Sequence, residues 1–253
     1  MELSLFSDTY IINEYLRLKS VLESMPRYKV GTHQGLSVIR KYTGNGNNTV
    51  RQITHESSRN YEKMNQQLLV YDNYQSLKKL YFDEIKRRHL NIPEYFRPKN
   101  DNSLYDLSFW DSLISCSNSH EIRTDYYDDY GYHVRSRGEM LIGNSLKALG
   151  LEAKYEPSLV LMGGRKISPD YSFPVHIIDR CFFIEFIGMT DNEEYINSNY
   201  GKTDMYMRNG ILPNRDLILI CGSSTWLPAQ ESIKQIIASF INVAVECVYN
   251  KKS

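Results

Sequence analysis

S-R-G-E-M-L-I-G-N-S-L (136–146), K-I-S-P-D-Y-S-F (166–173) and C-F-F-I-E-F-I-G-M (181–189) carry three acids, Glu139, Asp170 and Glu185. Glu185 stands inside the apolar run Phe182, Phe183, Ile184, Phe186, Ile187. A run of that length and apolarity suits a strand buried on both faces. A glutamate is almost never fully buried unless it is paired or bound to a cation. A divalent ion would resolve the conflict, and a few carboxylate oxygens suit Mg²⁺. Asp170 follows Pro169 near the expected start of another strand, where proline is tolerated.

Working outward, residues 136–149 read as a helix stopped by Gly150. Residues 154–162 and 166–175 read as strands joined through Gly163-Gly164. Residues 181–187 form a third strand, 192–209 a helix stopped by Gly210, 216–221 a fourth strand and 229–243 a further helix. The expected class is α/β (α+β), a four-stranded mixed sheet flanked by helices. Ser136-x-x-Glu139 is also a capping box, in which both side chains satisfy helix-start amides. Tyr195, Asn199, Lys202 and Tyr206 follow steps of four, three and four residues and so share a helix face.

The order helix, three strands, helix, strand, helix, with Pro169-Asp170 on the second strand and Glu185 on the third, resembles the PD-(D/E)XK nuclease core over residues 133–245. The family's third motif is Glu-x-Lys, whereas here Glu185 is followed by Phe186 and Ile187. The string I-E-F-I-G-M-T-D-N-E-E-Y (184–195) is similar to a branch that reads close to W-E-H-x-G-M-x-D-x-x-Y. In that branch the lysine moves to the following helix, and the matching position is Lys202; the usual histidine is Phe186. The resemblance implies a restriction-endonuclease-like fold and metal-dependent phosphodiester cleavage in DNA. It implies that Asp170, Glu185, the Phe186 carbonyl and Glu139 hold Mg²⁺, with Mn²⁺ as a substitute. Lys202 would then orient water or stabilise the transition state, and Lys166 is a rival for that role. The same fold with weakened chemistry would instead bind nucleic acid or a protein partner.

Upstream, residues 8–24 read as a helix ended by Pro26. Residues 36–42 and 49–54 read as a hairpin around Gly44-Asn45-Gly46-Asn47-Asn48. Its Arg40, Lys41 and Arg51 are candidate phosphate contacts. Residues 56–90 read as one long helix with an apolar stripe and a cationic end. The expected organisation is an N-terminal helical region with a hairpin over 1–98, a connector over 99–132 containing an acidic, tyrosine-rich run, and the nuclease-like domain over 133–253. The N-terminal helices are a candidate surface for a homodimer or a protein partner.

The 253 residues are 42 % hydrophobic and 24 % charged, as in a soluble globular protein. Formal net charge is zero, but residues 1–100 hold 16 Lys and Arg against 10 Asp and Glu, and residues 101–253 hold 14 against 20. A basic half beside an acidic, metal-seeking half fits an enzyme that handles DNA. Cys116, Cys181, Cys221 and Cys247 form no C-x-x-C pair, which argues against a zinc site or a disulfide framework. No apolar run approaches the roughly 20 residues of a membrane span, and no signal peptide is evident, so the expectation is a cytoplasmic protein with no membrane contact.

Overall fold

The computed structural model describes residues 1–42, 50–94, 103–116, 121–161 and 164–250. The chain divides into two compact units: Tyr10–Arg97, and Met1–Thr9 together with Pro98–Ser253. The expected N-terminal region, 1–98, and the unit Tyr10–Arg97 end within one residue of each other but start nine residues apart. The first nine residues join the C-terminal body, and the connector belongs to it as well.

In the N-terminal unit, helix α1 (Asp8–Ser24) is followed by strands β1 (Arg27–His33), β2 (Leu36–Tyr42) and β3 (Val50–His55), then helix α2 (Tyr61–Arg87). The strands form one antiparallel sheet in the order β1-β2-β3. The expected hairpin is thus one strand short. Gln34 and Gly35 take φ of 53° and 79°, the two-residue turn that closes β1 onto β2 with His33 opposite Leu36. One face of the sheet buries Tyr28 and Ile39 against Leu22 of α1 and Met64, Leu68 and Tyr71 of α2. The Gly44–Asn48 turn lies outside the described residues. Helix α2 starts five residues later than expected, because residues 56–60 form turns.

In the C-terminal unit come α3 (Leu107–Ser112), the ribbon of β4 (Tyr126–Tyr127) and β5 (His133–Val134), and α4 (Arg137–Ala148). Next are β6 (Lys154–Tyr155), β7 (Leu159–Val160), β8 (Lys166–Ile167), β9 (Tyr171–Val175) and β10 (Arg180–Ile187). Helix α5 (Glu193–Arg208), β11 (Leu217–Cys221) and α6 (Gln230–Tyr249) complete it. The main sheet has four strands in the order β11-β10-β9-β6, with β10 parallel to β11 and antiparallel to β9. The mixed α/β class and the order of helices and strands agree with the sequence. The first two expected strands are each broken in two: β7 and β8 pair as a separate ribbon, while β6 and β9 pair in the main sheet. The first break falls at Glu156, which has φ 42°, just before Pro157. Gly150 and Gly210, at φ 75° and 79°, end α4 and α5 in the left-handed geometry that glycine adopts at least cost.

Strand alternation sends β10 residues to two cores. Cys181 and Phe183 face Trp110 and Leu113 of the α3 segment, Tyr206 of α5 and Leu217 of β11. Phe182 turns the other way, onto Phe173 and edge-on to Phe240 of α6 at 5.1 Å between centroids. Phe182 and Phe183 are fully enclosed, each contributing about 2–3 kcal/mol by burial. On that second face Ile142 and Leu146 of α4 and Ile233, Ile237 and Ile241 of α6 are buried, and the two helices pack together. Helix α6 has the length and apolar composition to cross a membrane, contrary to the expectation that no segment does, yet 39 % of that stretch is buried within the fold.

Candidate functional site

Pairing registers bring the acids together. Tyr171 lies opposite Ile184 and Tyr155 lies opposite Tyr171, so continuing both ladders by one residue sets Glu156, Asp170 and Glu185 side by side. The Glu156 amide donates to the Asp170 carbonyl at 2.9 Å, which confirms the first step of that row. The Phe186 amide donates to Asp170 Oδ2 at 2.6 Å, which ties the second. A strand residue's N–H and C=O project to the same side, so the Phe186 carbonyl also lies on the Asp170 side.

Helix α5 supplies the cation. Lys202 Nζ stands 2.7 Å and 2.8 Å from the two oxygens of Glu185, and the Tyr206 hydroxyl donates to Glu185 Oε1. Tyr195, on the same helix face, accepts from the Gly188 amide just past β10. The four-, three-, four-residue spacing therefore does turn that face toward the acid-bearing strand. Lys166 lies exposed on β8.

Glu139 reaches the sheet through Tyr155. Its carboxylate accepts from the Tyr155 hydroxyl at 2.7 Å, from the Arg135 amide at 2.9 Å and from the Ser136 hydroxyl at 2.9 Å. Ser136 Oγ in turn accepts from the Glu139 amide at 3.1 Å. The capping box is formed, displaced by one residue, because the glutamate returns to the Arg135 amide rather than that of Ser136. The same carboxylate is thus both helix cap and neighbour of the row.

Two residues of the site escaped the sequence reading. Glu156 is buried, and its carboxylate takes a two-pronged ion pair from Arg135, Nε at 2.7 Å and Nη2 at 3.1 Å. Arg135 sits directly before the capping box. The only sequence signal for Glu156 is an acid set between Tyr155 and Pro157 at the end of a strand.

The electrostatics are unbalanced. Glu139, Glu156, Asp170 and Glu185 present four carboxylates against the two cations Arg135 and Lys202. Desolvation pushes Asp170 well above the usual aspartate range, and repulsion from Glu185 and then Glu139 adds to it; Lys202 only partly offsets this. Glu185 and Glu139 are also raised, first by burial. Burial opposes the Lys202 charge, but Glu185 and Asp170 outweigh it and hold the ammonium above the ordinary lysine range. The donor set, carboxylates in excess with a strand carbonyl beside them, fits a hard divalent cation. Among the described residues no three His, Cys, Asp or Glu side chains are drawn round one point closely enough to form a finished metal cage.

In the N-terminal unit, alternation puts Arg40 and Lys41 on opposite faces of the sheet. Arg40 and Lys41 therefore do not share a face. Arg40 shares its face with Lys29 and Arg27, and its Nη2 donates to the Thr32 carbonyl at 2.6 Å. The side chain of Arg51 lies outside those described. Comparison of the chain with protein-family models, with curated proteins and with solved structures gives no match.

Proposed function

We propose that this chain is a metal-dependent nuclease that hydrolyses phosphodiester bonds in DNA, on a core of the restriction-endonuclease-like type. The observation that carries the proposal is the Asp170–Glu185 pair on adjacent strands, with Lys202 delivered to it from the next helix. Asp170, Glu185 and the Phe186 carbonyl would hold Mg²⁺ or Mn²⁺, with Glu139 and Glu156 adding negative charge nearby. When bound, the ion would lower the pKa of water and neutralise charge on the phosphate. The reaction forms a bond from a water oxygen to phosphorus and breaks the bond to one sugar oxygen; the proton lost by water ends on the leaving oxygen or in solvent. Lys202 donates hydrogen bonds toward the attacking water or the charged phosphate. Tyr206 fixes the Glu185 carboxylate while it does so.

A second reading has its own support. Lys202 and Tyr206 between them engage both oxygens of Glu185, as in a self-neutralised structural pair. On that reading the chain is a nuclease-fold module that binds nucleic acid or a protein without cutting.

Cleavage assays on linear, circular, single-stranded and branched DNA and on RNA, with and without chelator, separate the two. The nuclease cuts only with Mg²⁺ or Mn²⁺, Glu185→Gln abolishes cutting, and Lys202→Ala slows it by about 10²–10³. A wild-type chain that cuts none of these substrates supports the binding module. Cleavage that survives unchanged in Glu185→Gln removes the site from this role.

A further inference from the structure

We infer that the β4–β5 ribbon is a base-stacking platform that holds an unpaired nucleotide of a single-stranded or frayed substrate beside the carboxylate row; the inference rests on the phosphodiester chemistry proposed above. Tyr127 stacks on His133 with ring centroids 4.7 Å apart and planes 13° apart. Tyr127 nevertheless remains 60 % exposed, so its second ring face is open to solvent. The two strands have two residues each, and paired strands that short add little stability of their own.

The platform is held rigidly. The His133 Nε2 meets the Thr124 carbonyl, and the Thr124 hydroxyl donates to the Val134 carbonyl. Val134 is fully buried and anchors the ribbon from beneath. The turn between the strands is pinned to the main sheet through Asp128, which accepts from the Tyr171 hydroxyl at 2.7 Å and from the amides of Tyr130 and Tyr132 at 3.0 Å and 2.8 Å. Tyr171 belongs to β9, the strand that Asp170 leads into, although its side chain lies on the opposite face of the sheet from the Asp170 carboxylate. Arg135, two residues after His133, extends from the ribbon to Glu156 in the acid row and keeps a quarter of its side-chain surface exposed. The route from aromatic face to carboxylate thus runs from Tyr127 across its pair His133 to Arg135 and on to Glu156.

Stacking of this kind selects unpaired nucleotides. Bases inside a duplex have both faces covered, whereas a splayed base offers one to an aromatic ring, whatever its identity. The ribbon therefore favours a single strand or a frayed end without favouring a sequence.

The test measures affinity by fluorescence anisotropy in chelator, where cleavage is off, for a labelled oligothymidylate and a duplex of equal length. Tyr127→Ala is expected to weaken oligothymidylate binding by about tenfold while changing duplex binding less than about twofold. Tyr127→Trp is expected to keep the affinity and to show its indole emission quenched on binding. The platform is refuted if Tyr127→Ala binds oligothymidylate as tightly as wild type, or loses both ligands equally. Wild type that binds neither ligand refutes the nucleic-acid proposal itself, and the platform with it. Because Tyr127 is exposed, a melting temperature equal to wild type is expected to accompany each variant.

Discussion

Asp170 concentrates the conflict on which the site depends. It keeps partial exposure, but the protein crowds its carboxylate, and two other acids repel it. Its folded-state pKa lies above the roughly 3.9 of an unfolded chain. The folded chain therefore binds more protons, and stability falls as pH rises from about 4 through the folded value. Asp170→Asn keeps an oxygen for the Phe186 amide and removes that charge. In chelator, thermal melts between pH 5 and 8 should show the variant melting higher than wild type near neutrality, with a flatter pH dependence. Lys202 is the opposite case. Lys202→Met leaves Glu185 buried without its partner and should destabilise the metal-free protein by about 2–3 kcal/mol, less than the about 3–5 of a fully enclosed pair because the Lys202 side chain keeps 31 % exposure. Urea denaturation at neutral pH measures it, and an unchanged midpoint would mean the ion pair contributes nothing to the fold.

Among elements, α4 comes close to β10 at the site. Gly138 in the first turn of α4 leaves room for the Phe186 ring, and a Cβ there would collide with it. Gly138→Ala should gain about 1 kcal/mol of helix propensity but lose about 1–3 kcal/mol to overpacking. The net expectation is a loss, seen as a lower urea midpoint with Phe186 displaced. The same pair of elements shows what was legible in the sequence. An acid inside an apolar run placed Glu185 on a buried strand, and periodicity placed Lys202 and Tyr206 above it, because both signals are local. Glu156 was not legible, since it enters the row only through the pairing of β6 with β9, which spacing along the chain does not encode. The breaks at residues 156–158 and 168–170 were hidden for a related reason: apolar residues continue past them, but in a different ribbon.

At the scale of the whole molecule, residues 10–97 are inserted between a short leading segment and the rest of the body to which that segment belongs. The Ser7 amide donates to Asn242 Oδ1 at 2.8 Å, and Asn242 Nδ2 donates to the Leu5 carbonyl at 2.8 Å. Lys234 pairs with Glu2 at the same helix. Asn242→Ala removes both Asn242 bonds and should cost about 1–3 kcal/mol. Hydrogen exchange should locate the loss, with faster exchange at residues 3–7 and at the outer turns of α6 and little change in β10. Uniform acceleration across the sheet would show instead that the leading segment is integral to global stability.

That seating of residues 2–7 on α6 also sets a timetable for synthesis. The segment leaves the ribosome well before its binding surface, which includes Asn242, made more than two hundred residues later. The inserted unit, residues 10–97, is compact in itself and can fold while the rest is still being made. The nascent C-terminal body must wait, with Leu3 and Phe6, both buried at the end, left uncovered throughout translation. Closing so long a loop is slow relative to local contacts, which makes the newborn chain, rather than the finished one, the form most exposed to aggregation and to chaperone capture.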